Sequence, residues 1–336
     1  MTIASGSLTF DFLNAVFADE KKIAAGMATR DAFGYALVEL GKSVPDLVVV
    51  DADLGKSTKS ILFLAEYPDR FYRCGVAEQA MMSVAAGLAA CGKIPVATTF
   101  AVFATSRAFD QLRVGIAQPH LNVKIVASHS GLTVGEDGKS AQAVEDLALV
   151  CALPGFNVVV PADSVEAAQA TAVAVHTDGP FYVRTSRPVM PFIYNPNDYR
   201  FELGKAHQLR DGKDATIIAC GVMVKTALDA ADELKSKGVS VRVLNMATLA
   251  PLDGEAILAA AEETGAIVTA EEHLIQGGLG SLVATVVAQH RPTPQEFVAI
   301  ENRYGQSGKP AELMKEYGLT AADIVAKVER VIARKK

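Results

Sequence analysis

The sequence predicts an α/β protein built from two doubly wound domains, and three observations carry that expectation. Short runs rich in Val, Ile and Thr alternate with helical patterns of roughly 10–15 residues, which implies parallel strands covered by helices on both faces. The alternation stops at a stretch dense in Pro, Asn and Asp, "RPVMPFIYNPNDYR", and then starts again. The chain has 336 residues, 50% of them hydrophobic, which is enough to fill two separate cores.

Taken in order, residues 1–25 read as an irregular or partly helical lead-in. A first domain is expected over 26–187. It opens with the amphipathic helix "RDAFGYALVELGK" and the apolar strand "DLVVVDAD", followed by an Ala-rich helix from Glu78 and the strand "IPVATTF". A helix from about Val102 to Ala117, the strand "NVKIVASHS", a loop holding "GEDG" and the helix "AVEDLALVCAL" come next. The strand "NVVVPAD", the helix "VEAAQATAVAVHT" and the strand "PFYVRTS" complete it. Residues 188–213 read as a linker, and 214–336 as a smaller α/β domain with strands "ATIIACG", "VSVRVLNM", "AIVTAEEH" and "QEFVAIE" and two closing helices.

Composition removes several function classes. The net charge of -6, with acidic and basic residues interleaved, leaves no basic surface for nucleic acid and no polybasic membrane patch. Cys74, Cys91, Cys151 and Cys220 are scattered without a C-x-x-C pair, as expected of reduced core or near-core thiols in a cytoplasmic protein. No signal-peptide pattern and no uninterrupted apolar span are present in the sequence. Two nucleotide motifs fail on spacing. Gly55-Lys56-Ser57 ends like a phosphate loop, but position 50 is Val where the loop needs Gly. "QGGLGSL" lacks the G-x-G-x-x-G spacing and reads as a tight strand-to-helix turn at Gly277, Gly278 and Gly280, with a phosphate nest as the other reading.

One carboxylate stands out. Glu78 lies at the mouth of the helix "EQAMMSVAAGLAA", which is otherwise nearly uncharged and is expected to be buried on all sides. A carboxylate at the edge of a core is rare unless paired or used, although favourable helix-end electrostatics is the plain alternative. In parallel sheets, ligands gather beyond the C-terminal ends of the strands. The residues expected there are Ser57, Phe100, Phe103, His129, Asp137 and Arg187. Each has an ordinary reading taken singly: core aromatics, a satisfied histidine, the turn pair Asp137-Gly138, a solvated arginine before Pro188. Together with Glu78 they make a pocket of two acids, two aromatics, a histidine, a serine and an arginine.

From about Ala28 onward the chain resembles the C-terminal half of a transketolase. "RFYRCGVAEQAM" is similar to that family's glutamate motif, "FAVFATSRAFDQLR" to its aromatic cofactor segment, "SHSGLTVGEDGKSAQAVEDLA" to its substrate loop and "TSRP" to its phosphate-binding arginine. The resemblance implies a thiamine-diphosphate pyrimidine-binding domain followed by a transketolase C-terminal domain, and a transferase of pentose phosphate and carbohydrate metabolism. It implies that Glu78 hydrogen-bonds N1′ of the aminopyrimidine, favouring the imino tautomer that takes the C2 proton. It further implies that Phe100 and Phe103 flank the pyrimidine ring, that Arg30, Ser57, His129 and Arg187 bind sugar phosphate, and that Asp137 meets a donor hydroxyl. One departure is Ala141 in "GEDGKSAQ", where many relatives carry a histidine.

The family holds the cofactor diphosphate through Mg²⁺ or Ca²⁺ on a GDG motif in a separate N-terminal domain. No GDG occurs in this sequence, so the resemblance implies no metal ligands here, an N-terminal partner subunit that holds the metal, and an α2β2 assembly. The alternatives at this point are the beta subunit of a 2-oxo-acid dehydrogenase, part of a deoxyxylulose-phosphate synthase, a transketolase specialised for a branched or sulfo-sugar, and a non-catalytic partner subunit. The "VGEDG" loop, the "SRP" arginine and an intact Glu78 favour the transketolase.

Overall fold

The computed structural model describes residues 10–18 and 26–335. Of the expected lead-in it includes a helical turn, Leu13–Val16, whose Leu13 and Val16 are buried; residues 1–9 and 19–25 lie outside the described residues.

Strand β1 (Met27–Ala28) leads into helix α1 (Thr29–Ser43), and β2 (Leu47–Asp51), β3 (Phe71–Arg73), helix α2 (Glu78–Ala90) and β4 (Ile94–Thr98) follow. Beyond these come β5 (Lys124–Ala127), α3 (Asp146–Cys151), β6 (Asn157–Val159), α4 (Ser164–His176), β7 (Phe181–Arg184) and β8 (Val189–Met190). The second set is β9 (His207–Arg210), β10 (Ala215–Ala219), α5 (Met223–Ser236), β11 (Val241–Asn245), β12 (Thr248–Ala250) and α6 (Gly254–Thr264). It ends with β13 (Ile267–Leu274), α7 (Leu279–His290), β14 (Gln295–Ile300), α8 (Pro310–Glu316) and α9 (Ala321–Ile332).

Two large sheets result. The first runs β12-β6-β7-β5-β4-β2-β3 and the second β14-β13-β10-β11-β9. Both are parallel except at one edge each, where β12 and β9 run antiparallel. Central strands such as LVVVD and ATIIA are buried at every position, as β-branched runs covered on both faces must be. Among the described residues no helix is long and apolar enough to cross a membrane.

Four features differ from the sequence reading. The Pro-rich stretch beyond Arg187 docks on the body: Tyr194, Tyr199 and Phe201 are buried, and the Asp163 carboxylate accepts the backbone N–H groups of Ile193 (2.7 Å) and Tyr194 (2.9 Å). Buried Glu166 accepts hydrogen bonds from Tyr199 Oη and from Asn245 Nδ2, so this stretch, α4 and β11 share one polar cluster. Second, β12 joins the first sheet although its residues follow β11, tying the two sheets together. Third, α2 is not buried all round. It turns Glu78, Met81, Met82, Ala85 and Ala86 inward and leaves Gln79, Ala80, Ser83, Val84 and Gly87 exposed, because other elements cover only its inner face. Of the cysteines, Cys220 is buried, Cys74 and Cys151 are half-buried, and Cys91 is exposed rather than near-core.

The glycine turn before α7 is closed by the protein itself. The Glu271 carboxylate accepts the N–H groups of Leu279 (2.7 Å) and Gly280 (2.8 Å), so the donors that would cradle a phosphate are taken by an internal anion. A Cβ at Gly278 would overlap the Glu271 carboxylate and sit 2.7 Å from His273 Nδ1, both buried. Gly278→Ala is therefore expected to lower stability by about 1–3 kcal/mol, measured as a shifted urea midpoint. An unchanged midpoint would show that the turn can relax.

Candidate active site

The candidate residues converge beyond the C-terminal ends of β2, β4, β5 and β7. Each arrives there by local geometry. Buried Asp51 ends β2, with the backbone N–H groups of Asp53 and Leu54 facing its carboxylate in the turn that leads to Ser57. Burial raises the Asp51 pKa, and the two backbone donors partly offset this. Arg30 is the second residue of α1, whose start is tied to the β7 exit: Thr29 Oγ1 accepts the Ser186 N–H at 2.7 Å. The chain after β4 continues the sheet for one more bridge, Phe100 beside Ser128, and then enters π-helical turns at Phe103–Arg107 and Gln111–Ala117. Such widened turns often re-aim side chains at functional sites.

Glu78 is 1% exposed, the first residue of α2. Both of its oxygens accept from Nη1 of Arg107, at 2.9 and 2.8 Å. The Arg107 guanidinium lies over the Phe103 ring, 4.3 Å from its centroid, and that side chain is 46% exposed. Phe103 stacks with Phe100 (5.7 Å between centroids, 13° between planes), and Phe100 stacks with His129 (3.8 Å, 15°). Phe100 also packs with Val134 and Ala141, so the small residue at 141 belongs to the wall behind the aromatic stack.

His129 is buried with a left-handed backbone (φ 57°). Its Nδ1 lies 2.8 Å from Ser128 Oγ, and Nε2 lies 3.3 Å from Arg30 Nη1. Burial, reinforced by Arg30 and Arg187, pushes the imidazole pKa down to about 3, so the ring is neutral at physiological pH. A guanidinium can only donate, so Nε2 accepts from Arg30 and Nδ1 carries the proton. The charge in this corner thus belongs to the two arginines. Arg30 also donates to the Ser57 carbonyl (3.0 Å), and its buried Nε has no hydrogen-bond partner among the described residues. Arg187 donates to the Val134 carbonyl and lies 3.7 Å from Glu136.

Glu78, Arg107, Phe103, Phe100, His129, Arg30 and the Ser57 carbonyl therefore form one continuous run of contacts. Arg187 attaches to the loop Leu132–Asp137. Asp137 stands at the exposed end of that loop and makes no hydrogen bond or ion pair among the described residues. Arg107 was not singled out from sequence. It lies 29 residues from Glu78, beyond any local periodicity, and only its place in "FAVFATSRAFDQLR" hinted at it.

This is the architecture of a two-domain α/β protein whose candidate site lies beyond the strand ends of its first sheet, with a buried carboxylate and an aromatic stack at one end and arginines at the other. The sequence matches the transketolase pyrimidine binding domain over residues 25–191 and the transketolase C-terminal domain over residues 204–324. A Methanocaldococcus jannaschii protein, named provisionally as a transketolase C-terminal section, is 44% identical over 301 residues, covering 89% of this chain and 94% of its own. Transketolase from Homo sapiens is 40% identical over 317 residues, covering 93% of this chain but 50% of the human one, so the chain spans about half the length of such relatives. A solved structure described as a split gene transketolase, an inactive β4 tetramer, superposes with a TM-score of 0.84 at 47% identity, covering 93% of this chain and 100% of that one.

The chain belongs to the transketolase family, of which it is a C-terminal section: pyrimidine-binding domain, then C-terminal domain. The family is one of transferases, and its domains carry a dependence on thiamine diphosphate.

Proposed function

We propose that this chain supplies the pyrimidine side of a transketolase active site and catalyses reversible transfer of a two-carbon ketol unit from a ketose phosphate to an aldose phosphate. In this reading it works only with a partner subunit that carries the diphosphate-binding domain and its Mg²⁺ or Ca²⁺. The observation that carries the reading is Glu78, a buried carboxylate at the start of α2 whose hydrogen-bond partner among the described residues is the half-exposed Arg107. Such a group fits an aminopyrimidine. The buried acid can hold a proton at N1′, and the flat faces of Phe100 and Phe103 suit a planar ring.

Thiamine diphosphate, when bound, supplies the electron sink for the two-carbon fragment. The chain's residues do the rest. Glu78 exchanges at least one Arg107 contact for the ring nitrogen, and its packing between helix and core keeps it from reorienting. Arg30 and Arg187 offer guanidinium donors to a sugar phosphate, and the unpartnered Nε of Arg30 leaves one donor in reserve. His129, neutral and anchored on Ser128, orients Arg30. In this reading Ser57 adds a hydroxyl, and Asp137 accepts from a donor hydroxyl. Ala141 leaves room, and one fewer contact, where many relatives carry a histidine.

Support for the partner comes from two sides: the chain covers 94% of a Methanocaldococcus jannaschii transketolase C-terminal section and 100% of a split gene transketolase chain, and apolar side chains are exposed near the start of α2. Val76 is 75% exposed, Val84 41% and Tyr72 40%, next to the open Ala80–Gly87 face of α2. We place the diphosphate-binding subunit and a second copy of this chain against that region, in an α2β2 assembly with two sites. Four free cysteines suit a reducing, cytoplasmic setting.

The test is direct. This chain, a diphosphate-binding partner, thiamine diphosphate, Mg²⁺, xylulose 5-phosphate and ribose 5-phosphate are expected to yield sedoheptulose 7-phosphate. Its absence refutes transfer between these two sugars.

A further inference from the structure

The loop that carries Asp137 is held from outside its own domain. Thr133, in the turn Leu132–Asp137, donates its backbone N–H to Glu272 Oε1 at 2.5 Å, and its hydroxyl lies 3.2 Å from Glu272 Oε2. Glu272 is on β13 of the second sheet, 139 residues away, and is 3% exposed. Its carboxylate fills the space beside Gly131, where any Cβ would overlap it, and that glycine has a φ of 69°. A second strap crosses the same boundary. Gln142 Nε2 donates to the carbonyls of Leu132 (3.3 Å) and Gly135 (3.2 Å) and to that of Gln306 (3.0 Å) in the C-terminal domain. Pro310, at the start of α8, and Ser307 lie close under Gly135 and Gly138.

The held loop in turn holds a candidate phosphate ligand. Its Val134 carbonyl accepts from Arg187, and its Glu136 faces the same guanidinium. A continuous run of contacts therefore leads from Glu272 through Thr133 and Val134 to Arg187. Neither the fold of β13 nor its register needs a carboxylate here. The strand pairs in parallel at Ile267–Ala270, before Glu272, and with β14 again at Leu274, beyond it, so Glu272 itself lies between paired positions. The buried Arg184 guanidinium offsets part of the cost of burying Glu272, but Arg184 already has Asp146 as its hydrogen-bonded counter-charge, and the Glu272 carboxylate takes its hydrogen bonds from Thr133 of the loop.

We propose that the C-terminal domain sets the working shape of the sugar-phosphate loop, and that Glu272 is the positioning residue through which it does so. The proposal rests on the reading of Leu132–Asp137 and Arg187 as the sugar-phosphate side of the site. Glu272 touches no substrate; it acts through Thr133. A glutamine at this position keeps an acceptor for the N–H and a second polar group for the hydroxyl, so it preserves the strap, whereas alanine removes it.

The experiment compares wild type, Glu272→Ala, Glu272→Gln and Gln142→Ala by hydrogen exchange and by kinetics in the assembly with the diphosphate-binding partner. In Glu272→Ala, amides of 131–138 are expected to exchange at least about tenfold faster, with β10 and β13 amides unchanged. The KM for ribose 5-phosphate is expected to rise about tenfold, with kcat and thiamine diphosphate affinity within about twofold of wild type. Glu272→Gln should restore both, and Gln142→Ala should reproduce the change from the opposite side of the boundary. Unchanged loop exchange in both alanine variants overturns the proposal, and so does a faster loop with an unchanged KM. If the wild-type assembly transfers no ketol unit, the proposed function fails, and the exchange data still decide whether Glu272 holds the loop.

Discussion

Glu78→Ala in the assembled enzyme is expected to lower ketol transfer by about 10³-fold or more while leaving the subunits folded and associated. The two halves of that expectation have different physical origins. Activity falls because Glu78 is the buried carboxylate joined to the aromatic stack, through Arg107 over Phe103, and alanine has nothing to hold a proton at a ring nitrogen. Stability changes little because Arg107, freed of its partner, is already 46% exposed and stays hydrated. Gel filtration and steady-state rates on the same preparation measure both. Near-normal turnover in the alanine variant would remove Glu78 from the mechanism.

The largest expected effect on stability lies elsewhere. Arg184 and Asp146 form an ion pair with side chains 4% and 0% exposed, joined by Nε at 2.8 Å and Nη2 at 3.0 Å. Tyr182 Oη donates to the same carboxylate at 2.7 Å, and Arg184 also donates to the carbonyls of Ala143 and Glu272. Asp146→Ala leaves a guanidinium buried without its counter-charge, expected to cost about 3–5 kcal/mol by chemical denaturation. The pH dependence has a definite sign. Burial alone would raise the Asp146 pKa, and Arg184 more than reverses this, leaving it lowered. Its contribution is thus fully present above the ordinary carboxylate value of about 4 and is lost as pH falls through the lower folded value. Wild type should lose stability over that acid range more steeply than the alanine variant; equal slopes would contradict this assignment.

What could be read from sequence was whatever repeats locally or announces itself by type. Buried β-branched runs marked the central strands, and two closing helices were expected, of which α9 starts on the reciprocal cap of Thr320 and Asp323. Glu78 was legible because a lone acid stood beside an uncharged helix. Arg107 was not, since the π-helical turns that aim it leave no periodic trace. The Pro- and Asn-rich stretch hid its docking, because Tyr194 and Tyr199 find their partners on distant α4 and β11. Glu271 and Glu272 looked alike in "TAEEH". Successive strand positions face opposite ways, so one closes the glycine turn within its own domain and the other reaches across to Thr133.

The central claim is that this chain holds one half of an active site completed by another polypeptide. Its most direct test is the rate of ketol transfer across mixtures of fixed total subunit concentration, from this chain alone to the diphosphate-binding partner alone, with saturating thiamine diphosphate and Mg²⁺. The account predicts no turnover at either end and a maximum at equal amounts. Turnover by this chain alone, or by the partner alone, would contradict it.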